Sequence, residues 1–129
     1  MKLLLDSQAF IYLVNQPERL PAAACRVIQD LNNIRFLSIA SPLELQIKVS
    51  IGKLSFAKPV RDLVQFELDR GAMELLPITL NHIDELSRLP MHHKDPFDRI
   101  LIAQARAEGL TIITGDRTIP RYPVTTLWE

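Results

Sequence analysis

The sequence predicts an α/β fold, a three-layer α/β/α sandwich with helices on both faces of a mainly parallel central sheet of four to five strands. Short apolar runs alternate with helical patterns along the chain, the order expected of βαβ units. Several of those runs, "KLLL" at the start and "LTII" near residue 111, lack a polar alternate, as strands buried on both faces do. Most of the helical patterns carry their own start and stop residues, which keeps them separate elements. The 129 residues fit one domain, residues 1–129, long enough to bury roughly two-thirds of the surface exposed by the unfolded chain.

Taken in order, "KLLLD" reads as a buried strand and "SQAFIYLVNQ" as a helix that ends before Pro17. Pro21 opens "AAACRVIQDLNN", with Val27, Ile28 and Leu31 on one helical face. "RFLSIA" is a second strand. "SPLELQIKVSIGK" follows, with Ser41 as cap, Pro42 at the first helical position, Glu44 three residues after the cap and Gly52 as stop. Pro59 opens "VRDLVQFELDRG", whose Val60, Leu63, Val64 and Leu68 recur at helical spacing. "MELLPI" is a strand, and "TLNHIDELSRL" a short helix capped by Thr79 with His82 on its exposed face. "DPFDRILIAQARAEG" is a longer helix with Asp95 as cap and Gly109 as stop. "LTIIT" is a strand, and "PVTTLW" a last one at an edge, because Pro123 cannot donate to a ladder.

Composition removes several function classes. Fifteen basic residues balance fifteen acidic ones, so a grip on nucleic acid must come from a local patch or from bound cations. Cys25 is the sole cysteine, which leaves no internal disulfide or zinc knuckle and fits the reducing cytoplasm as a packed or half-exposed thiol. "MKLLLD" is too short for a signal peptide or a membrane span. No P-loop, no GxGxxG and no GxSxG elbow is present, so nucleotide-cofactor and serine-hydrolase chemistry have no foothold. Adjacent His92 and His93 rarely serve one ion, no zinc spacing supports them, and a loop role is expected.

Ligands of open parallel sheets sit beyond the carboxyl ends of the strands, and acids stand at those exits. Asp6 ends the first strand, Glu44 lies in the first turn after the second, Asp116 follows "TIITG", and Asp95 and Asp98 begin the helix before that strand. Glu18, Glu67, Asp69, Glu74 and Glu108 are expected on outer faces instead. Each acid also has a bland use. Glu44 completes a capping box with Ser41, Asp98 has the same relation to Asp95, and Asp6 and Asp116 sit where turns are common. Gathered at one edge, carboxylates repel, and a hard divalent cation held by oxygens would answer them.

The same stretches resemble the PIN domain (PilT N-terminus) family, and within it the VapC-type toxins of toxin–antitoxin pairs. "LLLDSQAFIYLV", "SPLELQIKVSIGKL" and "HHKDPFDRILIAQARAEGLTIITGD" carry the resemblance in order and spacing across nearly the whole chain. It implies a ribonuclease dependent on Mg²⁺ or Mn²⁺ that activates water against an RNA phosphodiester. Its metal-binding and catalytic acids would be Asp6, Glu44, Asp98 and Asp116, with Asp98 preferred to Asp95 by its spacing to Ala103 and Ala105. Asp95 is left as a cap with an outer role at the site. The resemblance also implies a homodimer and a small antitoxin whose peptide enters the acidic groove. Ser7 stands where threonine is usual and keeps a hydroxyl near the metal, Gln8 replaces the common histidine, and the tail around Asp116 is less typical. Arg99, Lys94, Lys48 and Arg117 are candidates for RNA phosphates or for ion pairs with their acidic neighbours. Two alternatives remain open: a noncatalytic module of the same fold that binds RNA or protein, and a phosphatase using Asp6 as nucleophile. The second wants an acid where Gln8 stands.

Overall fold

A computed structural model describes residues 1–129. In chain order it contains β1 (Lys2–Leu5), α1 (Ser7–Asn15), α2 (Ala22–Gln29), β2 (Ile34–Ser38), α3 (Ala40–Ser50), α4 (Val60–Asp69), β3 (Glu74–Leu76), α5 (Leu80–Ser87), α6 (Pro96–Glu108), β4 (Thr111–Ile113) and β5 (Thr126–Leu127), with short 3-10 turns at Pro17–Arg19 and Ile119–Arg121. The strands form one sheet in the order β3-β2-β1-β4-β5, and every neighbouring pair is parallel. The chain therefore works outward from β1 to β3, then returns to the other side of β1 for β4 and β5. That reversal places a switch point between β1 and β4, where loops on the carboxyl edge diverge and leave a crevice.

The alternation of a strand explains the layers. Leu3, Leu4 and Leu5 are all fully buried. Leu3 and Leu5 face one core with Ala9 and Phe10 of α1, Ala24 and Ile28 of α2, and Val60 and Val64 of α4. Leu4 faces the opposite core with Ile112 of β4 and Ile100, Leu101, Ile102, Ala103 and Ala105 of α6. Each of the three leucines contributes roughly 2 kcal/mol by leaving water, which makes this short strand the centre of both cores. α5 packs along α6, and no helix is long and apolar enough to cross a membrane. Cys25 packs half-buried against the first core.

Local signals mostly held, with three corrections. α6 begins as expected, because the Asp95 carboxylate accepts from the main-chain N–H groups of Phe97 and Asp98 at 2.8 and 3.2 Å. It ends at Gly109, whose φ of 68° suits a residue without Cβ. α2, however, stops at Gln29 and not at Asn33. The Asp30 carboxylate accepts from Asn32 N–H and turns the chain, so Leu31, expected on the packed face, is 91% exposed. α3 begins at Ala40, one residue before the expected Ser41 cap. The Ser38 hydroxyl accepts from Ala40 N–H at 3.1 Å, Ser41 is buried inside the helix, and no capping box with Glu44 forms. His82 is the third correction. It is fully buried, because its ring closes a capping box with Thr79 and faces α6.

Candidate metal centre

At the switch point lies a groove of about 450 Å³ lined by Asp6, Glu44, Asp95, Asp98 and Asp116. Ser7, Lys48, Tyr12, Gly115 and Trp128 stand around the acids in its wall. Four separate segments thus bring acids together, and each is placed by ordinary backbone physics. Asp6 N–H donates to Ile113 O at 3.1 Å, which extends the β1–β4 ladder by one residue. Its carboxylate then caps α1 by accepting from Ala9 N–H at 2.7 Å. Asp116 is held in a turn after β4: its N–H donates to the Thr114 hydroxyl at 3.0 Å, and its carboxylate accepts from Thr118 N–H at 2.7 Å.

Glu44, freed of any cap, points into the groove from the first turns of α3. Its two oxygens accept from the Ser7 hydroxyl at 2.7 Å and from Lys48 Nζ at 2.8 Å. Both bonds hold a carboxylate that is only 5% exposed. Asp98 enters from the first turn of α6, one turn beyond the Asp95 cap. Ser7 and Asp95, expected as helpers, line the groove, whereas Arg99 turns away from it. Arg99 donates to Pro90 O at 2.7 Å and to the Tyr122 hydroxyl at 3.1 Å.

His93 departs from the expected loop role. Its Nε2 lies 3.0 Å from Asp98 Oδ2 and 3.3 Å from Asp116 Oδ2. One ligand atom from each of these three residues lies within 4.8 Å of the others. Asp6 and Glu44 share the groove without joining so tight a trio. Sequence spacing could not reveal His93, because its distance to Asp116 depends on where α6 and β4 lead the chain. His82 was missed for a related reason: its Nε2 meets Glu108 Oε1 at 2.9 Å on a neighbouring helix. Glu67 is also buried, bonded to Arg70 at 2.7 Å, and so leaves the set of outer-face acids, whereas Glu108 stays exposed as expected while meeting His82.

The electrostatics record what this crowding costs. Burial, reinforced by the charges of Asp116 and Glu44, raises the Asp6 carboxyl to about 6. Burial and then the charge of Asp95 raise Asp98 to about 7, against the opposing pull of His93. Asp116 goes the other way. Burial works to raise it, but hydrogen bonds from Thr118 N–H and His93 outweigh burial and hold it below the usual carboxylate range. The hydrogen bond to Glu44 raises the Lys48 ammonium. Five carboxylates thus face a single lysine in the groove. A donor set of oxygens with excess negative charge fits a hard divalent cation.

The sequence profile of the PIN domain family matches residues 3–124. No protein of curated function matches the chain in sequence. Among solved structures, VapBC2 from Rickettsia felis, bound to a DNA fragment from its promoter, superposes with a TM-score of 0.75 at 19% identity, covering 100% of both chains. DNA-bound VapBC from Salmonella typhimurium gives 0.70 at 18% identity over 98% of this chain and 97% of that one. VapBC-1 from nontypeable Haemophilus influenzae gives 0.67 at 16% identity over the same shares of each chain, 98% and 97%. At these identities the likeness is one of fold.

Proposed function

The chain belongs to the PIN domain family, and on that premise we propose that it is a metal-dependent endoribonuclease, the toxin of a toxin–antitoxin pair. The observation that carries the reading is the convergence of Asp6, Glu44, Asp98 and Asp116 on one groove at the carboxyl edge of the sheet. We assign these four as the metal-binding and catalytic acids of one nuclease domain, with Mg²⁺ or Mn²⁺ as the ion. When bound, such an ion lowers the pKa of water and offsets the charge of a phosphodiester and its transition state.

The chain's own residues supply the rest. Asp6, Asp98 and Asp116 offer carboxylate oxygens from three directions. Ser7 fixes one oxygen of Glu44, and Lys48 holds the other while keeping a positive charge in the groove to meet a phosphate. Asp95 keeps α6 in register, so that Asp98 reaches the groove. Tyr12 and Trp128, with ring centroids 6.2 Å apart, form an aromatic wall beside the acids. The guanidinium of Arg19 lies 4.8 Å over the Tyr12 ring. Aromatic faces beside a phosphate-handling site suit unpaired bases, so the reading favours single-stranded RNA or loops.

The toxin role rests on the resemblance of the three long motifs and on the shared fold of chains solved as VapBC complexes. It brings with it a homodimer, a cognate antitoxin that enters the acidic groove, and action in the cytoplasm. The test compares the purified chain with its Asp6→Ala variant on single-stranded and hairpin RNAs in Mg²⁺, Mn²⁺ or EDTA. Cleavage by the parent alone, and only with a divalent ion, is the expected result. Cleavage that survives EDTA or the substitution overturns the metal-site reading. Growth arrest on expression, relieved by the protein of an adjacent short reading frame, is the expected sign of the antitoxin.

A further inference from the structure

His93 and Tyr122 do not line the groove, yet His93 touches two of its acids and Tyr122 holds the loop that carries it. The main-chain N–H groups of His92 and His93 donate to the Tyr122 hydroxyl at 3.1 and 2.8 Å, and Arg99 adds a third donor at 3.1 Å. The Tyr122 ring is buried, and the His92 ring meets it edge-on at 5.0 Å. A tyrosine some thirty residues away thus buckles down the loop that carries His93.

Partners then decide the orientation and tautomer of the His93 ring. Its Nδ1 faces Asp95 N–H at 3.2 Å. A main-chain N–H can only donate, so Nδ1 presents its lone pair and the ring proton sits on Nε2. Nε2–H then points between Asp98 Oδ2 and Asp116 Oδ2, both of them acceptors. A histidine that ligates a metal through Nε2 needs its lone pair there. That would move the proton to Nδ1, where it would meet the Asp95 N–H donor to donor. The backbone therefore opposes the imidazole as a ligand, although its position beside two acids invites that role.

We propose that His93 is a positioning residue of the acidic site: Asp95 N–H and the Tyr122 hydroxyl hold its Nε2–H toward Asp98 and Asp116, and it sets the spacing of the two carboxylates without ligating the ion. The inference rests on the metal-site reading above. Outer partners of this kind orient ligands, and their loss typically costs about 10- to 100-fold in metal affinity.

The test has two arms. In the metal-free protein, long-range ¹H–¹⁵N NMR reads the tautomer, and the proton is expected on Nε2 of His93. Mn²⁺ titrations then compare the parent with His93→Ala, His93→Gln, Tyr122→Phe and the Ala/Phe double variant, each checked for folding by circular dichroism. His93→Ala is expected to weaken binding about 10- to 100-fold. His93→Gln recovers most of it, because its amide nitrogen carries a donor to the place of Nε2. Tyr122→Phe weakens binding alone but adds little to His93→Ala, since the phenol acts through the ring. Electron spin echo of bound Mn²⁺ shows no directly coordinated imidazole nitrogen. A proton on Nδ1, a coordinated nitrogen, or parental affinity in His93→Ala overturns the proposal. A parent that binds no Mn²⁺ refutes the metal site itself, and the NMR arm still decides how the ring is held.

Discussion

Replacing Asp6 with asparagine separates two demands on one buried position. The side chain caps α1 through an oxygen that asparagine also has, and it carries a charge that asparagine lacks. Burial moves the Asp6 carboxyl from 3.8 to about 6, which charges the ionised form about 3 kcal/mol at roughly 1.4 kcal/mol per factor of ten. Because the folded value is the higher one, the folded chain holds its proton longer than the unfolded chain. Stability is complete below about pH 4 and declines as the pH rises through about 6. In the metal-free parent this loss is fully developed at pH 8, whereas in Asp6→Asn it is absent. Urea unfolding in EDTA is therefore expected to show the variant gaining on the parent by roughly 2 to 3 kcal/mol between pH 4 and pH 8. Adding Mn²⁺ at pH 8 should reverse the order, by stabilising the parent and leaving the variant unchanged. A stability difference that does not vary with pH, or a variant that loses ground as the pH rises, refutes the account of Asp6 as a charge held against its own burial.

Three further outcomes follow from the same geometry. With Asp6 at about 6 and Asp98 at about 7, protons compete for both ligands, and Mn²⁺ affinity by calorimetry should fall about 1,000-fold from pH 8 to pH 5. Affinity that is flat over that range excludes these two carboxylates as ligands. In Gly115→Ala the new Cβ would lie 2.8 Å from the Trp128 ring, so the indole must leave its seat. Since Trp128 is the only tryptophan, its fluorescence reports the displacement directly, and single-stranded RNA binding should drop by about 1 to 3 kcal/mol. His82→Ala removes the acceptor for Thr79 N–H and the link to Glu108. It should lower stability by roughly 3 kcal/mol in urea while leaving Mn²⁺ binding near the parental value.

The opening strand shows how far residue order alone could go. "KLLL" followed by an aspartate was enough to place a doubly buried strand with an acid at its carboxyl end, and the structure has both. Asp95 and Pro96 likewise announced the start of α6, which sets Asp98 one turn in. Glu44 was found by its place just beyond the second strand, and the structure removes its competing use as a cap. The local pattern offered a capping box with Ser41, but α3 starts earlier and the carboxylate is engaged by Ser7 and Lys48 instead. Helix boundaries yield to packing in this way because a shift of one residue costs little locally and changes which side chains enter the core.

Strand burial, helix caps and strand exits are all written within a few neighbouring residues, so residue order sufficed for the class of fold, the parallel sheet and the four acids that approach one edge. Which side chains complete that edge depends on contacts between segments far apart in the chain. His93 meets Asp116 across 23 residues, Tyr122 grips the histidine loop across 29, and Ser7 reaches Glu44 across 37. Each of these meetings depends on the order β3-β2-β1-β4-β5, which brings distant loops together at the switch point. No periodicity or cap reports a contact of that kind, since its cause is the path of the chain through the sheet. The histidines that looked like loop residues are therefore split by tertiary structure: His92 packs on Tyr122, and His93 faces the acids.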